Sequence, residues 1–189
     1  MSQQQPRLRL ISEANSAPSD GALLARVASG DVSALGRIYD SYAAMLLRFA
    51  RRLGAGDEAE DIVQNVFLRV VRLAPAFDVT ASSARPWLFA ITVRVVQERR
   101  RSLRRLASAM SALAMQKHAP TLTAPPMASD LERCLHKLTL AKRSVILLAE
   151  VEGFSCDEIA AMLDIPVGTV WTRLHHARRE LRESWGETP

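Results

Sequence analysis

Cysteine is nearly absent from this chain. Its two cysteines, Cys134 and Cys156, stand far apart, with no CxxC spacing and no histidine at metal-ligand spacing. A disulfide framework and a zinc finger are therefore excluded, and each cysteine is expected to pack as a small apolar residue. Long apolar runs are missing too: none approaches the ~20 residues that span a bilayer. The first twenty residues, MSQQQPRLRLISEANSAPSD, lack the apolar core of a secretory signal. A cytoplasmic protein without membrane insertion is expected. Catalytic groups are equally sparse. None of His118, His136, His175 and His176 is paired in sequence with a nucleophile or a carboxylate constellation, and no glycine loop of the phosphate-cradling kind occurs. The chain is expected to be nonenzymatic and to need no metal or cofactor.

What is present is positive charge on an ordinary globular composition. The 189 residues are 48% hydrophobic and 24% charged, with a net charge of +5 and a pI near 9.9. That balance favours an anionic partner, bound with salt-sensitive affinity. Phe154–Arg182 suggests which partner. Ser155 and Glu158 have capping-box spacing ahead of a short helix carrying Ile159, Ala160 and Leu163. Asp164-Ile165-Pro166-Val167 breaks that helix, and a second starts at Gly168 with Val170, Leu174, Ala177 and Leu181 on one stripe. Thr172, His175, His176 and Arg179 lie opposite, where hydroxyl and imidazole groups suit base edges. Arg173, Arg178 and Arg182 suit phosphates. A basic amphipathic helix also fits a plain solvated face. The short preceding helix and the proline-marked turn favour a helix-turn-helix that binds DNA.

The rest of the chain divides readily. Residues 1–20 read as a mobile polar tail. A short helix over Leu23–Val27 is followed by a long one with Leu35, Ile38, Tyr39, Tyr42, Leu46, Phe49, Ala50 and Leu53 on its apolar stripe, ended by Gly54 and Gly56. Asp57 and Glu60 have capping-box spacing before a third helix, whose Ala59, Ile62, Val63, Val66, Phe67, Val70 and Val71 face one way. Pro86 can open a fourth, through Trp87, Leu88, Ile91 and Val95 to a basic run. Residues 106–128, rich in alanine, methionine, serine and proline, read as a linker, with Leu106–Met115 able to become helical. Ser129 with Glu132, and Thr139, cap two further helices, the second ended by Gly153. The expected fold is all-α: helical domains at 21–105 and 129–185 joined by a flexible linker, the second a helix-turn-helix.

Two surfaces are not explained by packing. The polar face Asp61, Gln64, Asn65 and Arg72 carries Leu68 among its acid and amide groups. Such a residue is either an ordinary exposed leucine or an interface anchor. Phe77–Arg105 combines a serine-containing loop, aromatic residues and arginines. That mixture suits single-stranded nucleic acid, although Phe77, Trp87 and Phe89 also suit a core.

In combination, DEAEDIVQNVFLRVVR (57–72), RPWLFAITVRVVQERRR (85–101) and GTVWTRLHHARREL (168–181) resemble the bacterial sigma factors of the extracytoplasmic-function group. The resemblance implies a nonenzymatic subunit that binds core RNA polymerase, recognises promoter DNA and opens it, without a cofactor. It places Asp61, Gln64, Asn65 and Leu68 against the clamp coiled coil of the largest polymerase subunit, Asn65 standing where an acid is frequent. It assigns the melted downstream element to Phe77, Ser82, Ser83, Trp87, Arg94, Arg99, Arg100 and Arg101. The duplex upstream element falls to Thr169, Trp171, Thr172, Arg173, His175, His176 and Arg178. Trp171, His176 and Arg94 depart from the residues frequent at those positions, so base preference does not carry over. An anti-sigma protein is a further implied partner. Two alternatives stay open: a one-component helix-turn-helix regulator acting without polymerase, and an adaptor that keeps the partner-binding surface but starts no transcription.

Overall fold

The computed structural model describes residues 18–113 and 130–186, and among them all regular structure is helical. Helix α1 (Asp20–Ala28) starts where the Ser19 hydroxyl accepts the Ala22 N–H at 3.2 Å. Asp31 caps α2 (Val32–Ala50), accepting from the Ser33 and Ala34 amides and from Arg26. Those donors, Ser33 foremost, hold the Asp31 carboxyl well below the usual carboxylate range. Ile38, Leu46, Phe49 and Ala50 are buried as the stripe requires, while Tyr39 stays partly exposed with its ring 4.8 Å from that of Phe67.

A widened π-turn at Arg51–Ala55 closes α2, and Gly54 and Gly56 adopt positive φ values of 91° and 54°. A 3-10 turn at Gly56–Glu58 then leads into α3 (Ala59–Leu73). The expected Asp57 and Glu60 capping box does not form. Glu58 occupies the cap position without a side-chain cap bond. Its carboxylate is drawn away to Arg99, whose Nε donates at 3.0 Å, because a guanidinium supplies a charge-assisted partner that a lone amide cannot match. Ile62, Val63, Val66, Phe67 and Val70 are buried, but Val71 is 44% exposed at the edge of the stripe.

Helix α4 (Arg85–Leu113) has Pro86 in its first turn and runs 29 residues, past the expected boundary at 105. The alanine, leucine and methionine of LASAMSAL are strong helix formers and carry it on. Residues 114–129 lie outside the described residues, and with them Ser129 and its expected capping box. Next come α5 (Asp130–Lys137) and α6 (Leu140–Ile146), the latter capped by Thr139 as expected. A second π-turn at Leu147–Val151 and Gly153 at φ 77° precede α7 (Cys156–Leu163). The Ser155 and Glu158 capping box is present in both directions. Asp164, left-handed at φ 54°, ends α7, and α8 (Val167–Gly186) buries Val170, Leu174 and Ala177.

One contiguous set of buried apolar side chains runs through α1–α4 and α5–α8. The two helical units meet at the first π-turn. The Leu53 carbonyl accepts from Arg100 Nη2 of α4 at 3.3 Å and from Arg143 Nη1 of α6 at 3.0 Å. A Cβ at Gly54 would strike both guanidinium groups, in a backbone conformation that side chains tolerate poorly. Gly36, in α2, has neither problem, since nothing lies within 4 Å of where its Cβ would be. The two glycines are therefore expected to respond to alanine with opposite signs. In thermal melts, Gly54→Ala costs about 1–2 kcal/mol through left-handed strain. Gly36→Ala gains about 0.5–1 kcal/mol through helix propensity.

Candidate nucleic-acid interface

Three surfaces collect the residues singled out by sequence. On α3, Asp61, Gln64, Asn65 and Leu68 are all exposed on one face. Leu68 is 63% exposed, and Asn65 Nδ2 donates to the Asp61 carbonyl one turn back at 2.8 Å. That bond directs the amide along the helix. Beside this face, Tyr39, Leu47 and Val63 help line an open groove of about 340 Å³ between α2 and α3.

The second surface is the loop 77–84 and the adjoining part of α4. Phe77 and Trp87 are half-buried with ring centroids 5.0 Å apart, whereas Phe89 is fully buried. Asp78 accepts from the Thr80 amide at 2.9 Å and from its hydroxyl at 2.6 Å, which folds the loop tip and keeps the Asp78 carboxyl below its ordinary range. Ser82 is exposed at the tip. Ser83 is not free: its hydroxyl accepts from the Arg85 amide and donates to Asp20. Arg94 is exposed. The three consecutive arginines part company. Arg99 is paired with Glu58, Arg100 turns inward to Leu53, and Arg101 faces solvent.

The third surface is α8. Trp171 is 59% exposed and, with His175, Arg178 and Arg182, lines a shallow groove of about 320 Å³. Thr172 donates to the Gly168 carbonyl at 2.9 Å, and the rings of His175 and His176 meet edge to face at 5.6 Å. Thr169, Arg173 and His176 are half-buried at the border of the exposed face. Arg178 donates from Nε to Glu150 at 2.9 Å, a partner 28 residues away that periodicity could not reveal.

Sequence reasoning missed the contact between the two helical units. Arg85, in the first turn of α4, donates to both the carbonyl and the carboxylate of Glu152, at 2.9 and 2.8 Å. Its guanidinium lies over the Phe89 and Phe154 rings at 5.3 and 4.8 Å. Those rings in turn pack edge to face at 5.6 Å. Ala161 and Met162 of α7 share a groove of about 310 Å³ with Trp87, Ile91 and Arg94 of α4. One unit therefore lies against the residues assigned to the melted element.

At the other end of this contact Arg143 is 1% exposed, its Nε has no hydrogen-bond partner, and burial and Arg100 lower it to about 10. Half-buried His136 lies in the same cluster. Burial foremost, then Arg143 and Arg100, hold its imidazole below the ordinary range, against the pull of Glu132.

Comparison with known proteins follows the same division. A family model described as Sigma-70 region 2 matches residues 38–106, and one described as Sigma-70, region 4 matches residues 128–181. The ECF RNA polymerase sigma factor SigL of Mycobacterium tuberculosis is 32% identical over 167 residues, covering 85% of this chain and 94% of its own. SigW of Bacillus subtilis, also an ECF sigma factor, is 29% identical over 173 residues, covering 84% and 92%. Among solved structures, CnrH in complex with the cytosolic domain of CnrY matches with a TM-score of 0.65 and 27% identity, over 91% of this chain and all of that one. The sigma factor RpoE of Bartonella quintana, solved with the anti-sigma factor NepR, has the same fold, with a TM-score of 0.65 at 23% identity over 82% and 98%.

The lowered imidazole carries a pH signature. Above about 6.5 both the folded and the unfolded chain hold His136 neutral. As pH falls below that value the unfolded chain takes up the proton first, so the fold loses stability until the lowered folded value is passed. Melting temperature is expected to drop between pH 7.5 and 5.5, and to drop less in His136→Gln. Identical slopes in the two proteins would contradict the placement of this ring.

Proposed function

Because the chain belongs to the extracytoplasmic-function group of RNA polymerase sigma factors, we propose that its three exposed surfaces divide polymerase docking, strand capture and duplex reading among them. The protein is a sigma factor: it binds core RNA polymerase and directs promoter-specific initiation, including DNA opening. The observation that carries the assignment is the co-occurrence of region 2 and region 4 in one chain, in that order, along 85% of its length in a relative such as SigL. A regulator acting without polymerase would need only the second unit.

In this reading the Asp61, Gln64, Asn65 and Leu68 face docks on the polymerase clamp. An exposed leucine framed by polar groups supplies the desolvated anchor of such an interface. The loop from Phe77 and the helix through Trp87, Arg94 and Arg101 hold the melted downstream strand. An extruded base would be taken between apolar walls while arginines follow the backbone. Arg99 contributes after exchanging Glu58 for phosphate. Arg100 contributes only after it releases the Leu53 carbonyl of its own unit. Thr169, Trp171, Thr172, Arg173, His175, His176 and Arg178 on α8 read the duplex upstream element.

The division runs as a unit at 21–105, a linker at 106–128 whose residues 106–113 continue α4, and a unit at 129–185, with residues 1–20 preceding them. Simultaneous contact with two promoter elements requires α7 to leave the Trp87 and Arg94 side of α4. The protein acts in the cytoplasm, where its polymerase is, does no chemistry of its own, and has an anti-sigma protein as a further partner.

The decisive experiment is run-off transcription from genomic fragments with core polymerase. Promoter-specific transcripts that depend on the added protein are expected, whereas footprints formed without polymerase would favour a free-standing regulator. For the docking face, Asp61→Ala with Leu68→Ala is expected to weaken core binding about tenfold or more while leaving the melting temperature in place. For the upstream reader, Arg173→Ala is expected to reduce the slope of log affinity against log salt by about one.

A further inference from the structure

The loop that carries Ser82 and Ser83 is held from a helix far away in sequence. Asp20 opens α1, and its Oδ2 accepts from three directions: the Ala84 amide at 2.7 Å, the Ser83 hydroxyl at 3.3 Å and the Tyr42 hydroxyl through a short bond. Tyr42 and Ser83 also touch, at 3.2 Å. Ser83 in turn accepts the Arg85 amide at 3.1 Å, so the network ends in the first turn of α4. Burial foremost, reinforced by Asp20, raises the Tyr42 phenol above its usual range, which keeps it a donor at physiological pH. Backbone packing adds a second restraint. Gly21 lies so close to the Val79 carbonyl that a Cβ there would force the loop to move.

We infer that Asp20 is a positioning residue for strand capture: with Tyr42 it clamps the loop 77–84 to the start of α4 and so presets the site for the extruded base. The inference rests on the proposed reading of that loop and helix as the downstream-element site. The physical argument is one of preorganisation. The side chains of Val79 and Ser82 at the loop tip are exposed, so the tip is held by backbone contact at Gly21 and the rest of the restraint falls on the loop end. A single carboxylate oxygen collecting Ser83, Ala84 and Tyr42 fixes the loop end at two consecutive residues and ties them to α2. Without it, ordering the loop would be charged against strand binding. Asp20 lies in the first turn of α1, at its partly positive end, where a carboxylate is favoured.

The test uses holoenzyme reconstituted from the full chain and core polymerase. The probes are a labelled single-stranded non-template oligonucleotide from a promoter transcribed in vitro, and a duplex carrying the upstream element of that promoter. Asp20→Ala and Tyr42→Phe are expected to weaken single-strand binding on the order of tenfold. Duplex binding and core association should stay within about twofold. Asp20→Asn, which retains one acceptor oxygen, should fall between parent and Asp20→Ala. Trp87→Ala reports on the underlying reading. If it weakens single-strand binding while Tyr42→Phe and Asp20→Asn match the parent, the role given to Asp20 is wrong and the strand site stands. If Trp87→Ala also binds like the parent, the strand site itself is wrong and the role of Asp20 goes with it. Equal losses on single strand, duplex and core polymerase would reduce Asp20 to a general fold contact and overturn the inference.

Discussion

The carbonyl of Leu53 receives a guanidinium from each helical unit, and the arrangement of the two units depends on that meeting. Arg100 arrives from α4 and Arg143 from α6. Two like charges can share one acceptor only where the backbone leaves room, and the π-turn with Gly54 at φ 91° provides it. Arg143 completes its bonding with the Leu138 carbonyl at 3.1 Å, yet among the described residues its Nε has no hydrogen-bond partner. A buried guanidinium served by carbonyls alone carries a desolvation cost of roughly several kcal/mol. Apolar contact between the units, centred on Phe89, Phe154 and Met162, has to offset it. The packed arrangement is therefore a balance of opposed terms.

The opposite end of the same contact works by different physics. Arg85 meets an acid, Glu152, and two aromatic faces, so its charge is compensated where that of Arg143 is not. The Arg85 end holds, and the Leu53 end stores the cost. Both lie along α4, the helix that also carries Trp87, Arg94 and Arg101. Unit packing and, in the proposed reading, strand access are consequently properties of one element. Movement at either contact alters which face of α4 meets solvent.

Local chemistry was legible in the sequence and long-range chemistry was not. The Ser155 and Glu158 box, the Thr139 cap, the stripe of α8 and the exposed Leu68 all follow from spacings within one or two helical turns, and the structure has each of them. Asp57 and Glu60 had the same spacing, but a 3-10 turn puts Glu58 at the cap position instead, and Arg99, 41 residues from Glu58, claims that acid. A cap is a weak bond that a charged partner can displace, and sequence spacing says nothing about such competitors. The same blindness hid Asp20, whose partners lie 22, 63 and 64 residues away. Arg143 read as one more cation on a helix, because nothing in its neighbourhood announces burial. Helix α4 continues over residues 106–113, where the linker was expected to be able to become helical, because a composition that suits a linker also suits a helix when one already runs into it.

Two arginines of the surfaces assigned to nucleic acid are paired within the protein, Arg99 with Glu58 and Arg178 with Glu150. Exposed pairs of this kind contribute about 0–1 kcal/mol each. That is too little to compete with phosphate on DNA, where release of condensed counterions adds to the direct attraction. In the proposed reading, Glu58 and Glu150 act as placeholders for Arg99 and Arg178 until the stronger anion arrives. Such pairing lowers the affinity for random polyanions, because each exchange first costs a protein bond. It lowers the affinity for the correct site less, because there several exchanges occur together on a surface already arranged for them. A net charge of +5 then attracts the duplex from a distance.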